Sequence, residues 1–153
     1  MTNEGLKVKG FYRVQLTEDD KVIGDSGWLQ NQVTNLGFNQ FLVSALGSIS
    51  GSKYVSHAAL GSGGAPAAAD TSLAGEVVKR AAVTAATSSS SKTVRFTATF
   101  DSANSFVTNT QNISNIGLFN SSATGTLFSG NTYTSSACAT NQNVNVTYDI
   151  IFA

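Results

Sequence analysis

The chain has 153 residues, one domain's worth by the usual prior of about 100–200 residues. Nine Lys and Arg balance nine Asp and Glu, and only 12% of residues are charged; this excludes the basic surplus of a phosphate-backbone binder and a polybasic membrane anchor. A single cysteine, Cys138, excludes an intramolecular disulfide framework and a cysteine-built zinc site.

Residues Lys7 to Leu16 alternate, with Val8, Tyr12, Val14 and Leu16 on one face and Lys7, Lys9, Arg13 and Gln15 mostly on the other. That is the pattern of a half-buried antiparallel strand. Glu18-Asp19-Asp20-Lys21 predicts a polar turn, and Val22-Ile23 begins a short return strand before Gly24. Residues 35–46 predict the one helix, because Phe38, Phe41, Leu42, Ala45 and Leu46 recur at helical spacing. Thr34 or Asn35 can cap its start and Gly47 can stop it. Its apolar stripe needs a sheet to pack on.

Tyr54 to Leu60 reads as a strand that runs into the glycine-rich loop Gly61-Ser62-Gly63-Gly64-Ala65-Pro66. Ala67 to Gly75 is a connector with a helical turn around Asp70. Glu76 to Thr84 predicts a strand with Val77, Lys79, Ala81 and Val83 on one side, and Ser88 to Ser91 a four-serine loop. Thr93 to Phe100 is a strand with Val94, Phe96, Ala98 and Phe100 inward. Ile113 to Phe119 is strand-like but changes phase near Gly117, which suits a β-bulge. Gly125 to Ser129 is another short strand. Last, Val144, Val146, Tyr148, Ile150 and Phe152 alternate with Asn143, Asn145, Thr147, Asp149 and Ile151; such regular alternation predicts an interior strand beside Val94 to Phe100. Seven or eight strands and one helix point to a mainly β fold, a single antiparallel β-sandwich or jelly roll over 1–153. Residues 1–9 precede the strong strand pattern and form a candidate docking arm.

The candidate chemistry is thin. His57 is the only histidine, so a catalytic triad or dyad needs it, yet no Gly-x-Ser-x-Gly elbow singles out a nucleophile. It reads as a structural or interface residue. Glu18-Asp19-Asp20 lacks the alternate-position spacing of a calcium loop and reads as a solvated turn. Gly61-Ser62-Gly63-Gly64 lacks the Gly-Lys-Ser/Thr end of a phosphate loop and runs to Pro66 instead. Asn112, Asn120 and Asn145 begin glycosylation-type triplets, at a frequency that the Asn, Ser and Thr content explains. Cys138 has no His or Lys nearby and reads as inert. The sequence therefore assigns no catalytic, cofactor-binding or metal residues and no cofactor. No apolar run approaches the ~20 residues of a membrane-spanning helix, and Met1-Thr2-Asn3-Glu4-Gly5 has no signal-peptide character.

Ser, Thr and Asn make up about a third of the chain, and from Ala81 onward the only charges are Lys92, Arg95, Asp101 and Asp149. Charge keeps monomers apart in solution, so an uncharged hydroxyl- and amide-rich surface suits permanent contact with other chains.

Several segments, in order, carry a resemblance. They are Val33-Thr34-Asn35-Leu36-Gly37, Ala59-Leu60-Gly61-Ser62-Gly63, Asp70-Thr71-Ser72-Leu73-Ala74-Gly75-Glu76-Val77-Val78-Lys79-Arg80 and Phe96-Thr97-Ala98-Thr99-Phe100. Ile113-Ser114-Asn115-Ile116-Gly117-Leu118-Phe119-Asn120, Gly125-Thr126-Leu127-Phe128 and Val146-Thr147-Tyr148-Asp149-Ile150-Ile151-Phe152 complete the series. Over roughly residues 30–153 the chain resembles small bacteriophage virion structural proteins of the capsid decoration, cement or tail and fibre-associated type. The resemblance implies assembly and no enzyme activity, in a virion put together in the host cytoplasm. The implied partners are a major capsid protein or other virion proteins, with a homo-oligomer, a trimer as first expectation, and neither nucleic acid nor membrane. Many relatives carry an acidic residue where Asn115 stands; if that carboxylate pairs with the arginine of the Leu-x-x-Glu-Val-x-x-Arg segment, Arg80 needs another partner here, and Glu76 is the candidate. The alternatives are a neck, tail or fibre component, or a glycan-binding β-sandwich using Trp28 and Tyr133 as its loop aromatics.

Overall fold

A computed structural model describes residue 5, residues 7–87 and residues 91–153. The chain runs through β1 (Val8–Glu18), β2 (Lys21–Asp25), β3 (Leu29–Gln30), β4 (Gln32–Val33) and a helix, α1 (residues 35–46). It continues through β5 (His57–Gly61), β6 (Ala81–Ala82), β7 (Thr84–Ala86), β8 (Thr93–Phe100), β9 (Gln111–Phe119), β10 (Leu127–Cys138) and β11 (Asn143–Phe152). Two antiparallel sheets form a β-sandwich. One has the order β2-β1-β11-β8-β7, with β3 also paired to β1, and the other has β4-β10-β9-β5-β6.

Alternation decides the first sheet. β11 lies between β1 and β8, as its pattern predicts, and its register sets inward residues abreast: Tyr12, Tyr148 and Phe96, then Val14, Val146 and Ala98, then Leu16, Val144 and Phe100. These pack against Ile113, Ile116, Leu118, Phe128, Ala58 and Leu60 of the second sheet. The β1–β2 hairpin turns at Asp19 and Asp20, both with positive φ (48° and 60°), the mirror-image turn that matches strand twist.

Two short corners lace the sheets together. The chain leaves the first sheet after β3, turns at Asn31 and enters the second at β4; it returns from β6 to β7 through Val83. The second corner corrects the expected strand over Glu76 to Thr84. Glu76 makes an isolated bridge to Gly61, and the paired strands Ala81–Ala82 and Thr84–Ala86 lie in different sheets, because the chain crosses between them at Val83. Splitting strands at corners and adding two-residue edges raises the count to eleven among the described residues, against the seven or eight expected. The short strand expected at Gly125 to Ser129 is the start of the twelve-residue β10, and β5 begins at His57 rather than Tyr54. In β9 the phase changes between Ile113 and Ile116, both in the core, opposite the irregular pairing at Thr132 to Ser136, and a second irregularity lies next to Gly117, where Leu127 and Ser129 face Phe119 and Leu118.

α1 starts as expected. Thr34 is buried, and its Oγ1 accepts from the Gly37 amide (2.9 Å) and donates to the Leu127 carbonyl (2.6 Å). Gly37 allows close approach, since a Cβ there would lie 2.2 Å from the Phe128 carbonyl oxygen. The stripe, however, differs from the prediction. Gly37–Val43 is π-helical, between α-helical residues 35–36 and Ser44–Leu46, so the wider coil rotates the later residues away from the 3.6-residue phase. Phe41 packs on Phe128 at 5.1 Å between ring centroids and Leu42 is half-buried, whereas Phe38, Ala45 and Leu46 face outward.

Of the candidate docking arm, residues 1–4 and 6 lie outside the described residues. Its end belongs to the sheet: Lys7 exchanges backbone hydrogen bonds with Ala153 (2.6 and 2.7 Å), and Val8 and Lys9 are in β1. Three of the four residues in the serine loop, 88–90, also lie outside the described residues.

Candidate functional site

Three constellations stand out, two buried and one exposed. The first ties the sheets together. Tyr148 of β11 sits between Ser129 of β10, whose Oγ is 2.8 Å from its hydroxyl, and the Asn31 amide at the corner, which donates to it. Tyr12 stacks on Tyr148 at 5.7 Å and donates to the Thr132 carbonyl. Burial pushes the Tyr12 phenol up to about 12 and also raises the Tyr148 phenol, so both remain neutral.

The second lies on the outer side of the second sheet, where the motif segments converge. Residues 62–80 fold over this side, and Leu73 packs with Ala59, Phe119 and Leu127. Arg80, its side chain only 5% exposed, pairs with Glu76 (Nε to Oε1 2.5 Å, Nη2 to Oε2 3.1 Å). Its other guanidinium nitrogen donates to the carbonyls of Ser121 (2.8 Å) and Thr124 (2.6 Å), and the group lies 3.6 Å above the Phe119 ring. Glu76 is thus the partner that the sequence suggested. Asn115, fully buried, donates through Nδ2 to the carbonyls of Gly64 (3.1 Å) and Ala74 (2.9 Å). A carboxylate at 115 would face those carbonyls with lone pairs only. Gly61 makes room for this side chain, since a Cβ there would lie 2.4 Å from the Asn115 Oδ1.

The third is an apolar end of the sandwich. Leu46 is 92% exposed, Tyr54 77%, Val43 62% and Ile49 58%, a grouping of large apolar side chains around one helix end. Between α1 and the inner face of the first sheet a groove of about 190 Å³ opens, lined by Phe41, Leu42, Ala45, Lys53, Tyr54 and Phe152 among others. The helix period led one to bury Leu46 and passed over Val43, Ile49 and Lys53. The signal that could have found Lys53 is its isolation: it is the only charge between Asp25 and Asp70.

The remaining sequence candidates are scattered. The His57 Nδ1 lies 2.8 Å from the Oγ of its neighbour Ser56. Burial, then the Arg80 charge, lowers its pKa, which favours the neutral ring. Amides of the glycine-rich loop are spent on the chain opposite, Ser62 to the Gly75 carbonyl and Gly63 to that of Ala74 (both 3.1 Å), so they form no phosphate cradle. Glu18 accepts from Asn141 (2.8 Å) at an exposed hairpin end, and no group of three or more potential metal ligands occurs among the described residues. Cys138 is buried, and burial pushes its thiol up. Trp28 is exposed, with the Arg95 guanidinium 5.6 Å from its ring. Tyr133, expected in a loop, lies within β10 and packs against the core. Arg13 pairs with Asp25 and Arg95 with Asp149 (2.8 Å), so all three arginines are ion-paired. No helix among the described residues is long and apolar enough to cross a membrane.

These features define a two-sheet antiparallel β-sandwich with an exposed apolar end. No protein-family model, curated protein or solved structure matches the chain significantly.

Proposed function

We propose that this protein is a non-enzymatic virion structural protein, a decoration or cement protein that stabilises a phage head by binding its capsid. The observation that carries the reading is the apolar end: Val43, Leu46, Ile49 and Tyr54 spend large apolar side chains on solvent, and contiguous exposed apolar surface marks a contact with another molecule. The rest of the surface supports an adhesive role. Thr97, Thr99, Thr147 and Asn145 line the outer face of the first sheet, and the paired arginines leave no guanidinium free for phosphate.

Cement works by mass action, because whatever binds only the assembled lattice stabilises that lattice. Symmetric copies multiply a modest contact by avidity, and self-association, with a trimer as the first candidate, adds to that. The same surface serves a neck, tail or fibre position equally well. The test compares particles assembled with the wild-type chain, without it, and with Leu46→Ser/Ile49→Ser. The wild-type protein should raise the temperature of heat-induced genome release, and the double variant should bind less. Particles of equal heat resistance with and without the chain would exclude the cement role, and a particle reconstruction placing it at the neck or tail would move it there.

A further inference from the structure

Lys53 lines the groove between α1 and the first sheet, half-buried, with no acid paired to it among the described residues. Its Nζ donates to Gln40 Oε1 (2.6 Å), and an ammonium carries three donors. Behind it the groove is almost wholly apolar, lined by Phe41, Leu42, Val94, Phe96, Phe128 and Phe152. At about 190 Å³ it is smaller than the roughly 300–1,000 Å³ of a typical small-molecule pocket. That volume suits one inserted side chain. Tyr54, which lines the groove and is 77% exposed, offers apolar surface that can shield such an anchor from water in a protein–protein contact.

We infer that the groove receives a segment of a partner protein that carries a large apolar side chain, aromatic or aliphatic, next to an acidic residue. The apolar side chain fills the space above Phe41 and Phe128, and the carboxylate accepts from the free donors of Lys53. An aliphatic patch alone would accept any greasy surface; the unpaired cation is what selects an acidic neighbour. That the partner is a virion protein rests on the function proposed above, whereas the chemistry of the groove does not.

The test uses the full-length protein labelled with ¹⁵N and the peptides acetyl-Ser-Glu-Phe-Ser-amide, its Gln and Lys analogues at the second position, and octanoate. Backbone amide shifts of Leu42, Lys53, Tyr54 and Val94 report binding. The Glu peptide should cause saturable shifts there, and the Lys analogue should bind about fivefold more weakly, the upper scale of one partly exposed charge pair. Lys53→Gln should erase the preference for Glu over Gln while leaving the weaker apolar contact. Ala45→Trp, at an exposed position lining the groove, should abolish the shifts; should that variant fail to fold, Tyr54→Ala, which trims the rim, should weaken them. No shifts at these amides at millimolar peptide, equal affinity for the Glu and Lys peptides, or unchanged binding by the folded variants would overturn the inference. Tighter binding of octanoate than of the Glu peptide would also overturn it, in favour of a free carboxylate. The same preparations are tested for association with particles. Peptide binding without particle association sinks the virion reading and leaves the groove; particle association without peptide binding sinks the groove alone.

Discussion

The hydroxyl of Tyr148 is the smallest group whose removal tests how the two sheets are joined. Tyr148→Phe keeps the ring in its row between Tyr12 and Phe96 and deletes one oxygen. That oxygen meets Ser129 Oγ at 2.8 Å and the Asn31 amide, and both partners are buried. Each partner is then left in the core without the bond, and a buried polar group so stranded costs about 1–3 kcal/mol. Some relief comes from local rearrangement, so we expect a loss of about 2 kcal/mol rather than the full sum. For a chain of this length that corresponds to a fall in Tm of roughly 4–8 °C. Tyr148→Ala, which also empties the ring site, should cost about 3–5 kcal/mol. Urea unfolding with linear extrapolation measures both. The double variant Tyr148→Phe/Ser129→Ala closes a thermodynamic cycle and should recover part of the single-variant losses, because the two share one bond. A Tyr148→Phe protein within ~0.5 kcal/mol of wild type, or strictly additive losses in the cycle, would refute the cross-sheet bond as a stabilising contact.

Arg80→Ala should lose about 3 kcal/mol, at the low end for a broken buried pair because Glu76 keeps partial exposure to water. Arg80→Lys should rescue little, since an ammonium cannot reproduce the fork that spans Glu76 and two carbonyls; full rescue in urea unfolding would contradict the clamp. Asn115→Asp puts a carboxyl against the carbonyls of Gly64 and Ala74, which raises its folded-state pKa above the unfolded value of about 3.9. The variant should therefore lie closest to wild type below that value and lose stability as pH rises through the raised pKa; a constant difference from wild type between acid and neutral pH would argue against this geometry. Buried Cys138 should resist iodoacetamide in the folded protein and react readily in urea, and fast native labelling would place the thiol at the surface.

Local pattern carried the parts of this protein in which one residue's neighbours decide its place. Strict alternation over Val144 to Phe152 and Thr93 to Phe100 set both strands, their buried faces and their adjacency, because a period of two leaves no other way to bury one face. Thr34 before an apolar run marked the helix start, since a capping hydroxyl acts within three residues. Even the Glu76–Arg80 pair was within reach, four residues apart in one segment.

What the sequence could not decide is whatever depends on contacts from far along the chain. The break at Val83 comes from crossing between sheets, and no local signal marks an edge that exists only once both sheets have formed. Gly37–Val43 takes a π-helical course with Gly37 seated against the Phe128 carbonyl from far along the chain, and Leu46 faces solvent against its helical period. Asn115 and Tyr148 find their partners 41 and 19 residues away at the nearest, so their polar atoms were unaccountable until the strands were stacked. The isolation of Lys53 in sequence marks the residue, but only folding places it beside an apolar groove. Periodicity reports which faces must leave water; only the assembled sandwich decides which apolar side chains are left over, and where.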